Sequence, residues 1–352
     1  MKKQLEKPFE YLKQKDGSSF STETIKNWYK ARVYVIDKLK SVAIGPESKT
    51  TLQVTVASDT PPMLSAIRQV ALSAHFANYE EATGKNRTVI TLVSKNPQII
   101  EELSKEEYLC NLTTLCKYTL FDNKPMNPNS FIDIELKVVD EMPKDECLDT
   151  IHISEEEMEA FLQSQKEDEV YSIDTRKAVL TNRMYYLGTL IDNLPAEDIH
   201  NAKRYGLALD VFKRKLLNDP IKPLVDTAKW ETDILQVKNG LSNVFCSDCF
   251  DTKKAFCKEE NNEPLSKSEH ARWVAEKLIM GFRPLNQQER IHDERLFGEE
   301  KKQYRSQLKN NPSDPVHIDL CSYSDLRRIN PEDLKYDSFL MLAIPAILKR
   351  TK

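Results

Sequence analysis

Thr88-Val-Ile-Thr-Leu-Val93 carries no charged residue and does not alternate polar with apolar positions. Such a strand is apolar on both faces, and a parallel sheet flanked by helices is the arrangement that covers both. The neighbouring chain agrees. Leu52-Gln-Val-Thr-Val-Ala57 is a second β-rich run, and the stretch from Pro61 to Phe76 between the two is an apolar-periodic helix with proline near its first turn. A helix from Pro97, a strand over Ile132–Val139 and a short strand over Thr150–Ser154 complete the order. This β-α-β-α-β succession predicts an α/β fold class, with a Rossmann-like, doubly wound unit over residues 49–155.

A dinucleotide fingerprint would place a Gly-x-Gly-x-x-Gly turn after the first strand. Here the turn is Ala57-Ser-Asp-Thr-Pro-Pro62, without glycine. Ser58, Asp59 and Thr60 could cap the following helix and leave an anion site at its N-terminus, although Asp59 would repel a phosphate. A structural scaffold and a residual nucleotide site both remain open. Only 8 of 352 residues are glycine, few for phosphate-cradling loops and mobile lids. The composition therefore leans away from a conventional nucleotide-hydrolysing enzyme.

The length predicts two or three domains. Residues 1–48 read as a helical lead-in whose Phe9, Tyr11, Trp28 and Tyr29 should pack on the body. Residues 156–255 read as a helical bridge, opened by a Ser154 cap with an acidic first turn and continued by helices over 174–188 and 195–212. Residues 256–352 form the last unit, with a charged, turn-rich insertion over about 286–316 and a final helix opened at Asn330-Pro-Glu-Asp333. A formal charge of −4 predicts no general attraction to nucleic acid or anionic lipid. No apolar run nears the roughly 20 residues of a membrane span, and Met1-Lys-Lys-Gln-Leu-Glu-Lys7 lacks a signal-peptide core. With seven cysteines in no dense framework, these features predict a cytoplasmic protein with reduced thiols. Cys246-x-x-Cys249, Cys257 and His270 have a spacing that superficially resembles a metal site; structural thiols are the competing reading, and no metal is expected. The six histidines, at positions 75, 152, 200, 270, 292 and 317, form no sequence cluster, and no Gly-x-Ser-x-Gly elbow places a nucleophile.

The stretch Leu265–Leu285 reads as one helix. Ser266 and Glu269 are spaced as a capping box, Gly281 suits the left-handed position after the last turn, and Pro284 blocks continuation. Helical periodicity sorts it into three stripes. Ala271, Ala275, Leu278 and Phe282 are apolar. Glu269, Arg272 and Glu276 are charged and expected to face water. His270, Trp273 and Lys277, with Val274 at the margin, make a third stripe that could stack a planar ligand or dock another part of the chain.

The pattern Glu-His-x-Arg-Trp-x-x-Glu-Lys-x-x-x-Gly-Phe over 269–282 resembles the opening helix of the Ry domain, the module repeated in ryanodine receptors and found singly in bacterial and phage proteins. Leu320-Cys-Ser-Tyr-Ser-Asp-Leu326, Asp337 and the Ala343–Leu348 tail look like that domain's closing segment, with Ser322 where proline is usual and Phe282 where tryptophan is common. The resemblance implies a mainly helical Ry domain at the C-terminus. Proteins resembling this one pair it with a domain similar to the nucleotide-binding fold of potassium-uptake regulators. It further implies a non-catalytic sensor or sequestering protein for a nucleotide-derived small molecule, in a bacterial or phage defence setting. Trp273 would be the stacking platform, His270 its neighbour, Arg272, Lys277 or Arg283 the anion partners, and Tyr323 the opposite wall. The plainer alternative makes Trp273 a core residue, with His270 and Glu276 in buried structural hydrogen bonds. A protein-interaction scaffold, and an enzyme acting on a nucleotide or NAD-like substrate through the 57–62 turn, are the competing functions. A single Ry copy could obtain by homodimerisation the contact that tandem copies make.

Overall fold

The computed structural model describes residues 7–14, 16–106, 109–121, 124–143, 150–174, 176–178, 180–181, 237–257 and 263–351. The helix expected over 195–212 lies outside the described residues, as does most of that expected over 174–188.

The apolar runs become strands of one six-stranded sheet. Its strands are β1 (Gln53–Val56), β2 (Thr88–Val93), β3 (Lys117–Thr119), β4 (Pro125–Met126), β5 (Ile134–Val139) and β6 (Thr150–Ile153). They are ordered β4-β3-β5-β2-β1-β6, every neighbouring pair being parallel except β3 with the edge strand β4. Val54 pairs with both Ile90 and Ile151, and Ile90 with Leu136, so β-branched and leucine side chains stack across the central four strands. The first five positions of β2 are buried, as a strand without polar alternation requires. After β2 the chain builds outward on one side of β1, and β6 then returns to its other side. That reversal puts the C-terminal ends of β1 and β6 next to each other.

Helices cover the sheet. In the N-terminal part these are α1 (Thr22–Leu39), α2 (Pro61–Ser73), α3 (Ile99–Lys105), α4 (Cys110–Leu115) and α5 (Glu155–Gln163). The Ser154 hydroxyl accepts from the Glu157 amide, the cap expected for α5. The aromatic lead-in packs as its composition predicts: α1 lies along α2 and buries Trp28, Tyr29 and Tyr34. In the C-terminal part α6 (Val237–Asp248), α7 (Glu263–Ile279), α8 (Gln287–Arg295), α9 (Gly298–Lys309), α10 (Tyr323–Ile329) and α11 (Leu334–Arg350) follow. α7 lies on α2 and α4 as well as on α11. One apolar core therefore runs from Phe9 through the sheet to Val274, Leu278 and Leu320. Among the described residues no helix is long and apolar enough to cross a membrane.

Candidate functional site

α7 ends as its sequence predicts. Gly281 adopts φ +87°, and the Phe282 and Gly281 amides close back on the Lys277 and Leu278 carbonyls. Its beginning differs, because the helix already runs from Glu263 and places Ser266 and Glu269 inside it. Neither caps. Ser266 lies beside the Ser338 hydroxyl, and Glu269 is turned into the protein.

The charged stripe also reverses expectation. Glu269, Arg272 and Glu276 are each 0% exposed. α6 and the 250–253 turn cover this face, and buried charges there must be paired. Arg272 gives Nε to Glu269 and Nη1 to Glu276, both at 2.7 Å. Lys253 Nζ reaches Glu269 at 2.8 Å, and Lys277 Nζ reaches Glu276 at 2.8 Å. The Ser242 hydroxyl donates to Glu276 at 2.5 Å and the Cys246 thiol to Glu269 at 3.3 Å. Against the desolvation imposed by burial, Lys277 and Arg272 hold the Glu276 carboxyl down to about 2. Arg272, expected as an anion partner, is thus the centre of an internal ion network.

The His270–Trp273 stripe opens on a cleft of about 270 Å³ between α7, the 317–320 loop, α10 and α11. The two rings are near-parallel, with centroids 6.0 Å apart, and His317 meets the indole edge-on at 4.9 Å. Histidines scattered in sequence are therefore brought together at the tryptophan. His270 Nε2 faces the Cys321 carbonyl at 3.0 Å, which fixes the Nε2–H tautomer, and burial lowers its pKa. Burial, then the Lys309 and Lys277 charges, pushes His317 down to about 3. Both imidazoles are neutral near pH 7.

The polar wall of the cleft is acidic. Asp319, Asp333 and Asp337 line it with Tyr336, while Lys309 stands at its mouth. Asn330 Nδ2 bridges Asp319 at 3.2 Å and Asp333 at 2.7 Å. Desolvation, then repulsion by Asp333, pushes the Asp319 carboxyl up to about 7.

Of the residues singled out from sequence, His270 and Trp273 line this cleft, and Lys277 Nζ lies 5.8 Å from the indole centroid. Tyr323 is 4% exposed and meets His270 edge-on from outside the lining. Its backbone amide donates to Glu81, and its ring is not among the groups that line the cleft, so it does not form the opposite wall. Arg283 is held by Glu289, at 2.7 and 2.8 Å, and by Asp314, at 2.6 and 2.7 Å, a clamp that leaves it no part in the cleft. His317, Asp319 and Asp333 were not anticipated. Asp337 stood in the closing-segment pattern, and Asp333 was noted only as part of a helix start.

The 57–62 turn lies at the chain reversal, but its donors point inward. Thr60 is the N-cap residue of α2 without a side-chain capping bond, and its hydroxyl donates to Glu155. Ser58 Oγ also faces Glu155, at 3.4 Å, and Asp59 accepts from Ser94 Oγ at 2.5 Å. Two carboxylates where an anion would sit disfavour a phosphate. Among the described residues the cysteines and His270 do not converge: Cys249 Sγ faces the Leu72 and Phe245 carbonyls, Cys246 faces Glu269, and His270 faces Cys321. Desolvation pushes the Cys249 thiol up to about 12, as burial among carbonyls does for a structural thiol. A wider hollow of about 1080 Å³ lies beside the lead-in, between Lys26 and the 167–174 segment, and contains none of these residues. No family model, no curated protein and no solved structure matches the chain, so its own geometry carries the functional reading.

Proposed function

We propose that this is a non-catalytic ligand-binding protein in which a Rossmann-like α/β unit supports a C-terminal Ry domain, and that the cleft beside Trp273 receives a planar, nucleoside-sized molecule. The observation that carries the reading is the half-buried indole lining a concavity whose polar groups face the same space. The volume lies just below the ~300–1,000 Å³ usual for ligand pockets. It suits one ring system with a sugar better than a dinucleotide. The three carboxyls favour hydrogen-bond donors over phosphates, so the nucleotide-derived ligand expected from the Ry resemblance should be phosphate-poor, its ring against Trp273 and its hydroxyl or amino groups toward the acids. The neutral imidazoles add hydrogen-bonding edges without charge.

The test is thermal unfolding of the full chain with adenosine, ADP-ribose, NAD, ATP and cyclic nucleotides. A ligand at about 100 times its Kd should add roughly 2.7 kcal/mol to stability. The gain should vanish in Trp273→Ala while the circular dichroism spectrum is kept, with Trp273→Phe retaining part of it. A gain that survives Trp273→Ala would place binding elsewhere. No gain with any compound would favour the interaction-scaffold function.

A further inference from the structure

Two ammonium groups are brought to one lip of the Trp273 cleft, and backbone bonds hold them there. Lys277 lies in the last turn of α7, and Lys309 is the last residue of α9. Both positions suit a cation, because a helix carries partial negative charge at its C-terminus. The Arg283 amide donates to the Pro315 carbonyl at 3.0 Å, and the His317 amide to the Arg283 carbonyl at 3.1 Å. The Val316 amide donates to the Leu308 carbonyl at 3.1 Å. These three bonds tie the ends of α7 and α9 to the 315–317 segment. Lys309 and His317 therefore line the same cleft, and Lys277 Nζ is held 5.8 Å from the Trp273 ring centroid.

The two charges act on one another and on the ring between the helix ends. Partial desolvation at the mouth, then the Lys277 charge, lowers the Lys309 pKa, and Asp319 and Asp333 oppose this more weakly. After burial, Lys309 and Lys277 are also what keeps His317 neutral. Like charges held together beside a concavity raise the potential there and favour an anion. The surplus is small. Lys277 Nζ also reaches Glu276 at 2.8 Å, so two ammoniums and one carboxylate leave about one net positive charge at the lip. The opposite wall is acidic, with Asp319 and Asp333 joined through Asn330 Nδ2. The cleft is thus bipolar.

We propose that the ligand of this cleft carries one anionic group, a carboxylate or a phosphate monoester, held at the lip by Lys309 and Lys277 while its ring lies on Trp273. This rests on the reading of the cleft as a ligand site and adds the charge of its occupant. The hydroxyl and amino donors of the ligand then face Asp319 and Asp333, so each end of the molecule meets the matching end of the cleft. A polyphosphate fits poorly, because its further charges exceed the single surplus at the lip and approach the acids.

Isothermal titration of the full chain near pH 7 tests this with adenosine, adenosine 5′-monophosphate, adenosine 5′-carboxylate and ATP. At least one of the two single-anion probes should bind about tenfold or more tighter than adenosine, as a charge-assisted hydrogen bond allows. A gain shared by both supports a site for either group, and a gain confined to one names that group. Lys309→Gln should remove the advantage over adenosine, and Lys309→Arg should keep most of it. On the unaltered chain, raising salt from about 50 to about 500 mM should shrink the advantage as well, which decides the matter if the glutamine variant fails to fold. Equal affinity for adenosine and both single-anion probes, a gain that survives Lys309→Gln, or ATP binding tighter than the monophosphate would each overturn this inference and leave the nucleoside-binding reading intact. Failure of all four probes to bind would overturn both.

Discussion

Asp319 is 7% exposed and shares the Asn330 amide with Asp333, so ionising it requires giving up water beside a second carboxyl. Both effects raise its folded pKa, to about 7, above the ordinary aspartate value of 3.8. The sign of the linkage follows. The folded state binds this proton more tightly than the unfolded chain, so stability is full below pH 3.8 and is lost as pH rises through 7. Asp319→Asn should therefore stabilise the protein at pH 8 by about 1–3 kcal/mol and change it little at pH 4, measured by urea unfolding at each pH. A variant that keeps the full pH dependence would assign it to another group. Little of this was legible in sequence. Asp319 lies in a polar loop next to a charged insertion, where an aspartate ordinarily faces water, and only the approach of α11 with Asp333 desolvates it.

At the scale of elements, α7 separates what periodicity can and cannot say. A repeat of 3.6 residues correctly grouped Glu269, Arg272 and Glu276 on one stripe and His270 and Trp273 on another. It does not say from which side neighbouring elements approach, and α6 with Lys253 covers the charged stripe. Arg272→Met should therefore cost about 3–5 kcal/mol, because it takes the shared guanidinium from two carboxylates that are 0% exposed and leaves each a single lysine. Arg283→Met removes a clamp between partly exposed partners and should cost about 1 kcal/mol or less. Chemical denaturation of the two variants checks the contrast; equal losses would mean that the buried network relaxes. The same network carries an acid limit. Glu276 has its folded pKa lowered from 4.5 to about 2, so its contribution is present above pH 4.5 and lost as pH falls through 2. Acid unfolding of the intact chain should set in over that window, and Glu276→Gln should flatten it.

Across the whole molecule, the sheet half grips the C-terminal half through side chains far apart in sequence. Glu81, between α2 and β2, accepts the Tyr323 amide, the Ser324 amide at 3.1 Å and the Ser324 hydroxyl at 2.7 Å, answering the first donors of α10. Asn111 on α4 donates to the Gly281 and Phe282 carbonyls just past α7, at 2.9 and 2.8 Å. Arg32 on α1 and Asp248 on α6 form a two-pronged pair at 3.0 and 2.7 Å. Because α10 contributes Leu326 to the cleft, the grip on its first turn bears on ligand binding. Glu81→Ala should cost about 1–2 kcal/mol, as loss of a helix cap does, and speed amide exchange over 323–326. Ligand affinity should fall with it. Unchanged exchange there would show that the α10 start is held by the Ser322 cap alone, whose hydroxyl accepts from the Asp325 amide.

Sequence by itself determined the local and periodic features. Unalternating strands had to be buried in a parallel sheet, Pro61 and Ser154 set helix starts, Gly281 set the end of α7, and an aromatic lead-in had to find a core, whereas the start expected at Asn330-Pro331 is a separate short turn before α11. These follow from backbone sterics, capping and the burial of apolar surface, which act over a few residues. Tertiary structure alone decided which stripe of α7 is buried, that Arg272 is enclosed by carboxylates, and that the turn after β1 meets Glu155. It also decided that His317, Asp319, Asp333 and Asp337 converge on Trp273. Those outcomes depend on which elements approach one another, His270 and Cys321 being 51 residues apart in the chain. Desolvation and pairing then change the meaning of a charged residue in ways that its own neighbours in sequence do not reveal.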